Sequence, residues 1–157
     1  MRLSSPAFHD GGDIPRVYSC EGENISPAIE WSEIPIGTES LVFIVHDPDA
    51  SRPGGFYHWL LYNIPPDCPG IPPSMPTTAI VQNLGTQGRN SEGNPGYTGP
   101  CSPKTQHRYF FRLYAMKREL ALEPGADYPH LAEAMEGHIL ATAELMACYA
   151  KSEKKAA

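Results

Sequence analysis

At 157 residues, with 41% hydrophobic and only 19% charged residues, the chain reads as one domain, 1–157, able to bury about two-thirds of its unfolded surface. Its net charge of −6, with no Lys/Arg-rich stripe and no aromatic RNA-binding signature, argues against nucleic acid as a partner and against docking to anionic membranes through bulk charge. No apolar run approaches the roughly 18 residues of a membrane span, and Met1-Arg2-Leu3-Ser4-Ser5-Pro6 lacks the apolar core of a secretory signal.

The 17 prolines and 14 glycines are spread along the chain, a pattern of many tight connections that favours short strands over long helices. Leu41-Val42-Phe43-Ile44-Val45, bounded by Glu39 and Asp47, is a β-branched apolar run of strand length and predicts a buried strand. Asp47-Pro48-Asp49-Ala50 follows as a stiff loop. Tyr57 to Ile64 predicts a second strand, stopped by Pro65-Pro66, and Thr77 to Leu84 a weaker third. Between and after these lie two long irregular stretches, 65–76 with six prolines and 85–106 with five glycines. Loops of that length in a compact domain are usually functional or packed as Ω-loops.

The strongest strand runs from His107 to Met116. His107, Tyr109, Phe111, Leu113 and Ala115 share one face, and Arg108, Phe110, Arg112, Tyr114 and Met116 the other. Downstream, Asp127 is placed to cap a helix with Pro129 in its first turn, and Gly137 to end it in a left-handed conformation. Residues 139–149 fit a strand period and a helical one equally well, so periodicity leaves them open. The Lys- and Glu-containing tail, 151–157, reads as solvated and disordered.

Two of these loops lead to a histidine at the start of a strand. Asp47-Pro48-Asp49-Ala50 leads to His58, and Gly96-Tyr97-Thr98-Gly99-Pro100-Cys101 leads to His107. Brought together, the two imidazoles and the Gly/Pro-rich backbone would make a small rigid polar depression suited to an anion. Tyr109, two residues after His107, faces the same way and adds a hydroxyl. The glycine loop offers backbone N–H groups as an anion nest. Asp47 either orients one of the imidazoles or caps a turn, and Asp49 is read as a turn residue. Two His and one Asp also match a metal ligand set, but no H-x-D or H-x-x-x-H pair exists, so no metal and no cofactor are expected. Cys20, Cys68, Cys101 and Cys148 lie far apart and are read as free thiols of a cytoplasmic protein, Cys101 as a structural thiol beside Pro100. Trp31, Trp59, Phe43, Phe110, Phe111 and Tyr114 read as core aromatics.

In this order, Asn24-Ile25-Ser26-Pro27 with Trp31, Asp47-Pro48-Asp49-Ala50, His58-Trp59, Gly99-Pro100-Cys101, His107-Arg108-Tyr109 and Gly137-His138-Ile139-Leu140-Ala141 resemble the phosphatidylethanolamine-binding proteins, in their prokaryotic Raf kinase inhibitor-like branch. The resemblance covers roughly residues 3 to 150. It implies an all-β fold: a Greek-key β-sandwich with a large and a small sheet and a few short helices. It also tips 139–149 towards a strand.

Matched motif to motif, the resemblance implies a pocket for phosphate, small oxyanions or a phospholipid headgroup built from Asp47, His58, Gly99, Pro100, His107 and Tyr109, with Asp49 and Tyr97 nearby. A cis peptide at Asp47-Pro48, homodimers, and inhibition of a partner such as a protease or kinase are further implications. Ser51 and Ser102 stand where many relatives have proline, which would loosen a pocket wall. The expected function is therefore non-enzymatic anion binding. The rivals are a small hydrolase or metal-dependent enzyme using the same residues, and a protein-interaction domain whose pocket is vestigial.

Overall fold

The computed structural model describes residues 1–101 and 105–150. Nine strands and one α-helix follow in chain order: β1 Arg2–Ser4, β2 Ile29–Ser32, β3 Ser40–Asp47, β4 Phe56–Ile64, β5 Gly70–Ile71, β6 Ile80–Val81, β7 Gly85–Gln87, β8 His107–Met116, α1 Tyr128–Met135 and β9 Ile139–Tyr149. They form a three-stranded sheet, β1-β2-β5, and a six-stranded sheet, β6-β7-β4-β3-β8-β9. Every pairing between these strands is antiparallel. Residues 139–149 are therefore a strand, and β8 returns across the large sheet to pair with the edge of β3 that β4 leaves open.

The apolar run in β3 is continuous because the strand is covered on both faces. Leu41, Phe43 and Val45 join Ile29, Trp31 and Ile71 of the small sheet, together with Trp59, Phe111 and Leu113, in the core between the sheets. Val42 and Ile44 face the other way, under Leu131 and Met135 of α1. Trp59 and Phe43 meet edge to face at 5.4 Å between ring centroids. Burying each such side chain is worth roughly 1.5–3 kcal/mol. In β8 the predicted alternation holds as far as Ala115: its odd-numbered residues are buried, while Arg108, Phe110 and Arg112 look outwards and Tyr114, on their face, packs half-buried against the cluster under α1, where Met116 is fully buried. Phe110 is consequently not a core residue. It lies half-buried beneath the guanidinium groups of Arg108 and Arg112, 5.4 and 4.7 Å from its centroid.

Helix α1 starts as its sequence dictates, with the Asp127 side chain accepting from the His130 N–H. It stops at Gly137, whose φ of 80° only glycine adopts without cost. The strand expected over 77–84 is mostly absent: only Ile80–Val81 pairs, with β7. The buried amide of Gln87 explains this, since it donates to the carbonyls of Pro76 and Thr78 (2.8 Å each) and accepts from the Trp59 indole (2.8 Å). A side chain satisfies those carbonyls where a ladder would otherwise have to.

Two further expectations are corrected. Among the described residues every peptide bond is trans, Asp47-Pro48 included. Asp47 Oδ1 accepts the Asp49 N–H at 2.8 Å, closing the turn over Pro48 without a cis bond. Cys20 and Cys101 are not free thiols but a disulfide spanning 81 residues of sequence, and only Cys68 and Cys148 are free. Sequence spacing cannot reveal a pair that the fold alone brings together. With it goes the thiol-based premise for a cytoplasmic location. Among the described residues no helix is long and apolar enough to cross a membrane. The expectations for the tail 151–157 and for Ser102 fall outside the described residues.

Candidate functional site

The site is assembled at one end of the large sheet, where β3 ends and β4 and β8 begin. Here β3 and β4 slip register: Val45 pairs with Trp59, but His46 pairs with Tyr57. His58 is therefore the extra residue of a β-bulge, and the bulge re-aims it. Trp59 points into the core, so strict alternation would send His58 outwards. Instead His58 is buried and meets Tyr109 of β8 edge to face at 5.2 Å. Tyr57 takes the outer face and stacks on Tyr128 of α1 at 3.8 Å.

His58 and His107 converge on one cavity of about 330 Å³ whose wall also includes Asp47, Gly99, Tyr109 and Cys101. A larger depression, about 440 Å³, lies between α1 and residues 118–122 and shares no residue with it. Each imidazole is held by its Nδ1. His58 Nδ1–H donates to the Thr98 carbonyl at 2.7 Å, and His107 Nδ1–H donates to Asp47 Oδ2 at 2.8 Å. Because Asp47 Oδ1 already takes the Asp49 N–H, Asp47 both orients an imidazole and caps the turn. Burial depresses the His58 pKa to about 4, against the opposing pull of the Thr98 carbonyl and Asp47. That ring is neutral near pH 7.

The loop beside the histidines is locked from behind. Gly99 donates its N–H to Asn24 Oδ1 at 2.8 Å. A Cβ there would sit 2.1 Å from the Tyr18 carbonyl and 2.4 Å from that Asn24 oxygen, so only glycine fits. The Thr98 N–H donates to the His58 carbonyl at 3.0 Å, and Pro100 has no N–H. The backbone nest expected in this loop is thus not offered by residues 98–100, because their donors are spent inside the protein. Pro100 itself is buried and accepts from the Cys20 N–H at 3.0 Å, beside the disulfide that ties Cys101 to Cys20.

Of the residues expected at the site, Asp47, His58, Gly99, His107 and Tyr109 line the cavity, whereas Pro100, between Gly99 and Cys101, does not. Asp49 and Tyr97 lie elsewhere. Asp49 forms a two-pronged ion pair with Arg108 at 2.9 and 3.0 Å, which holds its carboxyl down at about 2. Tyr97 is a core residue, its ring edge-on to Trp59 and its hydroxyl donating to the Tyr18 carbonyl at 2.6 Å. Ser51, expected in a pocket wall, does line the cavity, as does Ala50 of the Asp47-Pro48-Asp49-Ala50 loop, whereas sequence reasoning missed Phe56 and Glu92. Phe56 packs on His58 at 4.5 Å, and Arg52 lies 5.4 Å over its ring. Glu92 sits inside a long glycine-rich loop, where no local pattern marks it. Among the described residues no three His, Cys, Asp or Glu side chains are grouped to hold a metal ion.

Residues 4–150 match the family described as phosphatidylethanolamine-binding protein. A UPF0098 protein of Methanothermobacter thermautotrophicus is 46% identical over 149 residues, covering 95% of this chain and 98% of its own length. One from Chlamydia trachomatis is 42% identical, covering 96% and 99%. Among solved structures, a phosphatidylethanolamine-binding protein homolog from Chlamydia trachomatis superposes with a TM-score of 0.87 at 42% identity, over 96% of this chain and 97% of its own. Escherichia coli YbcL, described as a member of the mammalian family of these proteins, superposes with the same score at 30% identity, over 96% and 98%.

Proposed function

The chain belongs to the phosphatidylethanolamine-binding protein family, and from that membership and the cavity's geometry we propose that it binds a small phosphate-type oxyanion, free or as a phospholipid headgroup, without turning it over. One observation carries this reading. Two imidazoles from distant strands line the same cavity, each tied to the protein through Nδ1, leaving Nε2 as the ring nitrogen for a ligand. In this reading the occupied cavity regulates a protein partner, a protease or a kinase, and the rim residues Arg52, Phe56 and Glu92 are the ones such a partner would meet.

The test is calorimetric titration with inorganic phosphate. His58→Ala and His107→Ala should each weaken binding about tenfold or more, the size of one lost hydrogen bond to a charged group. Unchanged affinity in the double variant would overturn the reading.

A hydrolytic reading draws on the Asp47–His107 hydrogen bond, the arrangement of an oriented general base. It needs a nucleophile: the Cys101 sulfur is taken up in the disulfide, which leaves the Ser51 hydroxyl or a water. Turnover of a phosphomonoester, lost in His107→Ala, would establish it over the binding reading.

A further inference from the structure

The four cysteines divide by their surroundings. Cys148 is buried and Cys68 half-buried, its thiol donating to the Gly70 carbonyl at 3.1 Å, and both are free. Cys20 and Cys101, the two exposed ones, are joined. An exposed bridge is open to attack by dissolved thiols, whereas a buried one is shielded. Cys101 also belongs to the cavity wall, together with His107 and Tyr109. A reaction at this residue is therefore a reaction at the ligand site.

Opening the bridge would change the wall without dismantling the fold. Neither half-cystine belongs to the core between the sheets or to the one under α1. The segment leading to Cys101 is tied to residues 18–24 by non-covalent contacts as well. The Tyr97 hydroxyl donates to the Tyr18 carbonyl at 2.6 Å, the Gly99 N–H to Asn24 Oδ1 at 2.8 Å, and the Cys20 N–H to the Pro100 carbonyl at 3.0 Å. Those ties do not depend on the bridge, and they hold the chain as far as Pro100. The bridge is the next tie in chain order, and it fixes a residue that lines the cavity. His107 opens β8 further on and keeps its own anchor on Asp47. Reduction thus frees Cys101 from the wall while both imidazoles keep their anchors.

We propose that the Cys20–Cys101 bridge is a thiol-exchange site that sets the affinity of the cavity: oxidised, the wall is complete and the anion is held; reduced, the hold weakens. The proposal rests on the binding reading above and adds the regulation of that site. The co-reactant is a low-molecular-weight thiol. Its thiolate attacks one sulfur of the bridge, and a mixed disulfide forms as the Cys20–Cys101 bond breaks. The displaced cysteine thiolate takes up the proton that the attacking thiol gave up. A second thiol resolves the mixed disulfide in the same way. In sum, two thiols are oxidised to one disulfide and the cystine is reduced to two cysteines. Linkage makes the effect reciprocal: whatever factor the bridge adds to anion affinity, bound anion adds to the stability of the bridge.

The experiment is titration calorimetry with inorganic phosphate on the wild-type protein, oxidised and after treatment with dithiothreitol, an uncharged dithiol that does not compete for an anion site. The fluorescence of Trp31 and Trp59, both buried, checks that the reduced chain stays folded. Reduction is expected to weaken phosphate binding about fivefold or more, the lower end of typical couplings between sites. Cys20→Ser with Cys101→Ser should bind like the reduced wild type and ignore dithiothreitol. In glutathione redox buffers, saturating phosphate should shift the bridge towards the disulfide by the same factor, about 20 mV for a fivefold coupling. Equal affinity in the oxidised and reduced proteins overturns the switch and leaves the anion site standing. So does a bridge that resists dithiothreitol in the folded protein, or a chain that unfolds once reduced. Failure of phosphate to bind the oxidised protein at millimolar concentration overturns the anion site itself.

Discussion

His107 Nδ1 lies 2.8 Å from Asp47 Oδ2, a buried carboxylate–imidazole pair joining residues 60 apart in sequence. The same carboxylate holds the turn that follows it, through the Asp49 N–H. One side chain thus fixes both a cavity imidazole and the loop that forms part of the wall.

Asp47→Ala should therefore act on structure and site together. It leaves the buried His107 Nδ1–H and the Asp49 N–H without their acceptor, a loss of about 2–3 kcal/mol in stability. Chemical denaturation measures it. The ring nitrogen resonances of His107 should show the loss of the fixed tautomer. A stability change under about 0.5 kcal/mol would mean the pair is not formed in solution.

Stability should depend on pH through His58. Its folded pKa, about 4, lies below the ordinary 6.5, so the unfolded chain binds a proton more readily than the fold does. Stability is then fully present above pH 6.5 and falls as pH drops towards 4, by roughly 3 kcal/mol at most. In His58→Gln that part of the profile should flatten. Asp49 acts in a separate, lower window: its depressed pKa favours the fold above the ordinary 3.8, and that contribution fades towards about 2.

Gly99→Ala should displace the loop from Tyr18 and Asn24, because the added carbon has backbone on one side and an amide oxygen on the other. The expected cost is about 1–3 kcal/mol, the range for overpacking a tight contact, accompanied by weaker phosphate binding. Asn24→Ala removes the oxygen that accepts from Gly99 without adding bulk, and should weaken binding with a smaller loss of stability.

The disulfide ties the segment before Asn24 to the cavity wall. Cys20→Ser with Cys101→Ser should lower stability by about 2–4 kcal/mol, the usual worth of a bridge over a long loop. Denaturation with and without a reductant should separate the wild type from this variant. If the two coincide under oxidising conditions, the bridge contributes nothing.

The elements legible in the sequence were those whose pattern is local. The apolar run of β3, the alternation in β8, and the Asp127 cap and Gly137 stop of α1 all lie within one segment. The two histidines were legible as well, since each follows a Gly- or Pro-rich loop and opens a strand. What stayed hidden depends on two segments meeting. The bulge that turns His58 inwards exists only against β3. The Gln87 amide that takes the place of a strand ladder over 77–84 acts from β7, the strand that folds back beside that stretch. Cys20 finds Cys101 because Asn24 and Gly99 bring their loops together, and the donors of that loop are spent in the same contact.

The most direct measurement is a crystal structure of the protein soaked in phosphate at pH 6. The account predicts one tetrahedral anion between His58 Nε2 and His107 Nε2, within hydrogen-bond distance of both. An empty cavity at saturating phosphate, or an anion bound at another surface while both imidazoles stay unoccupied, would contradict it.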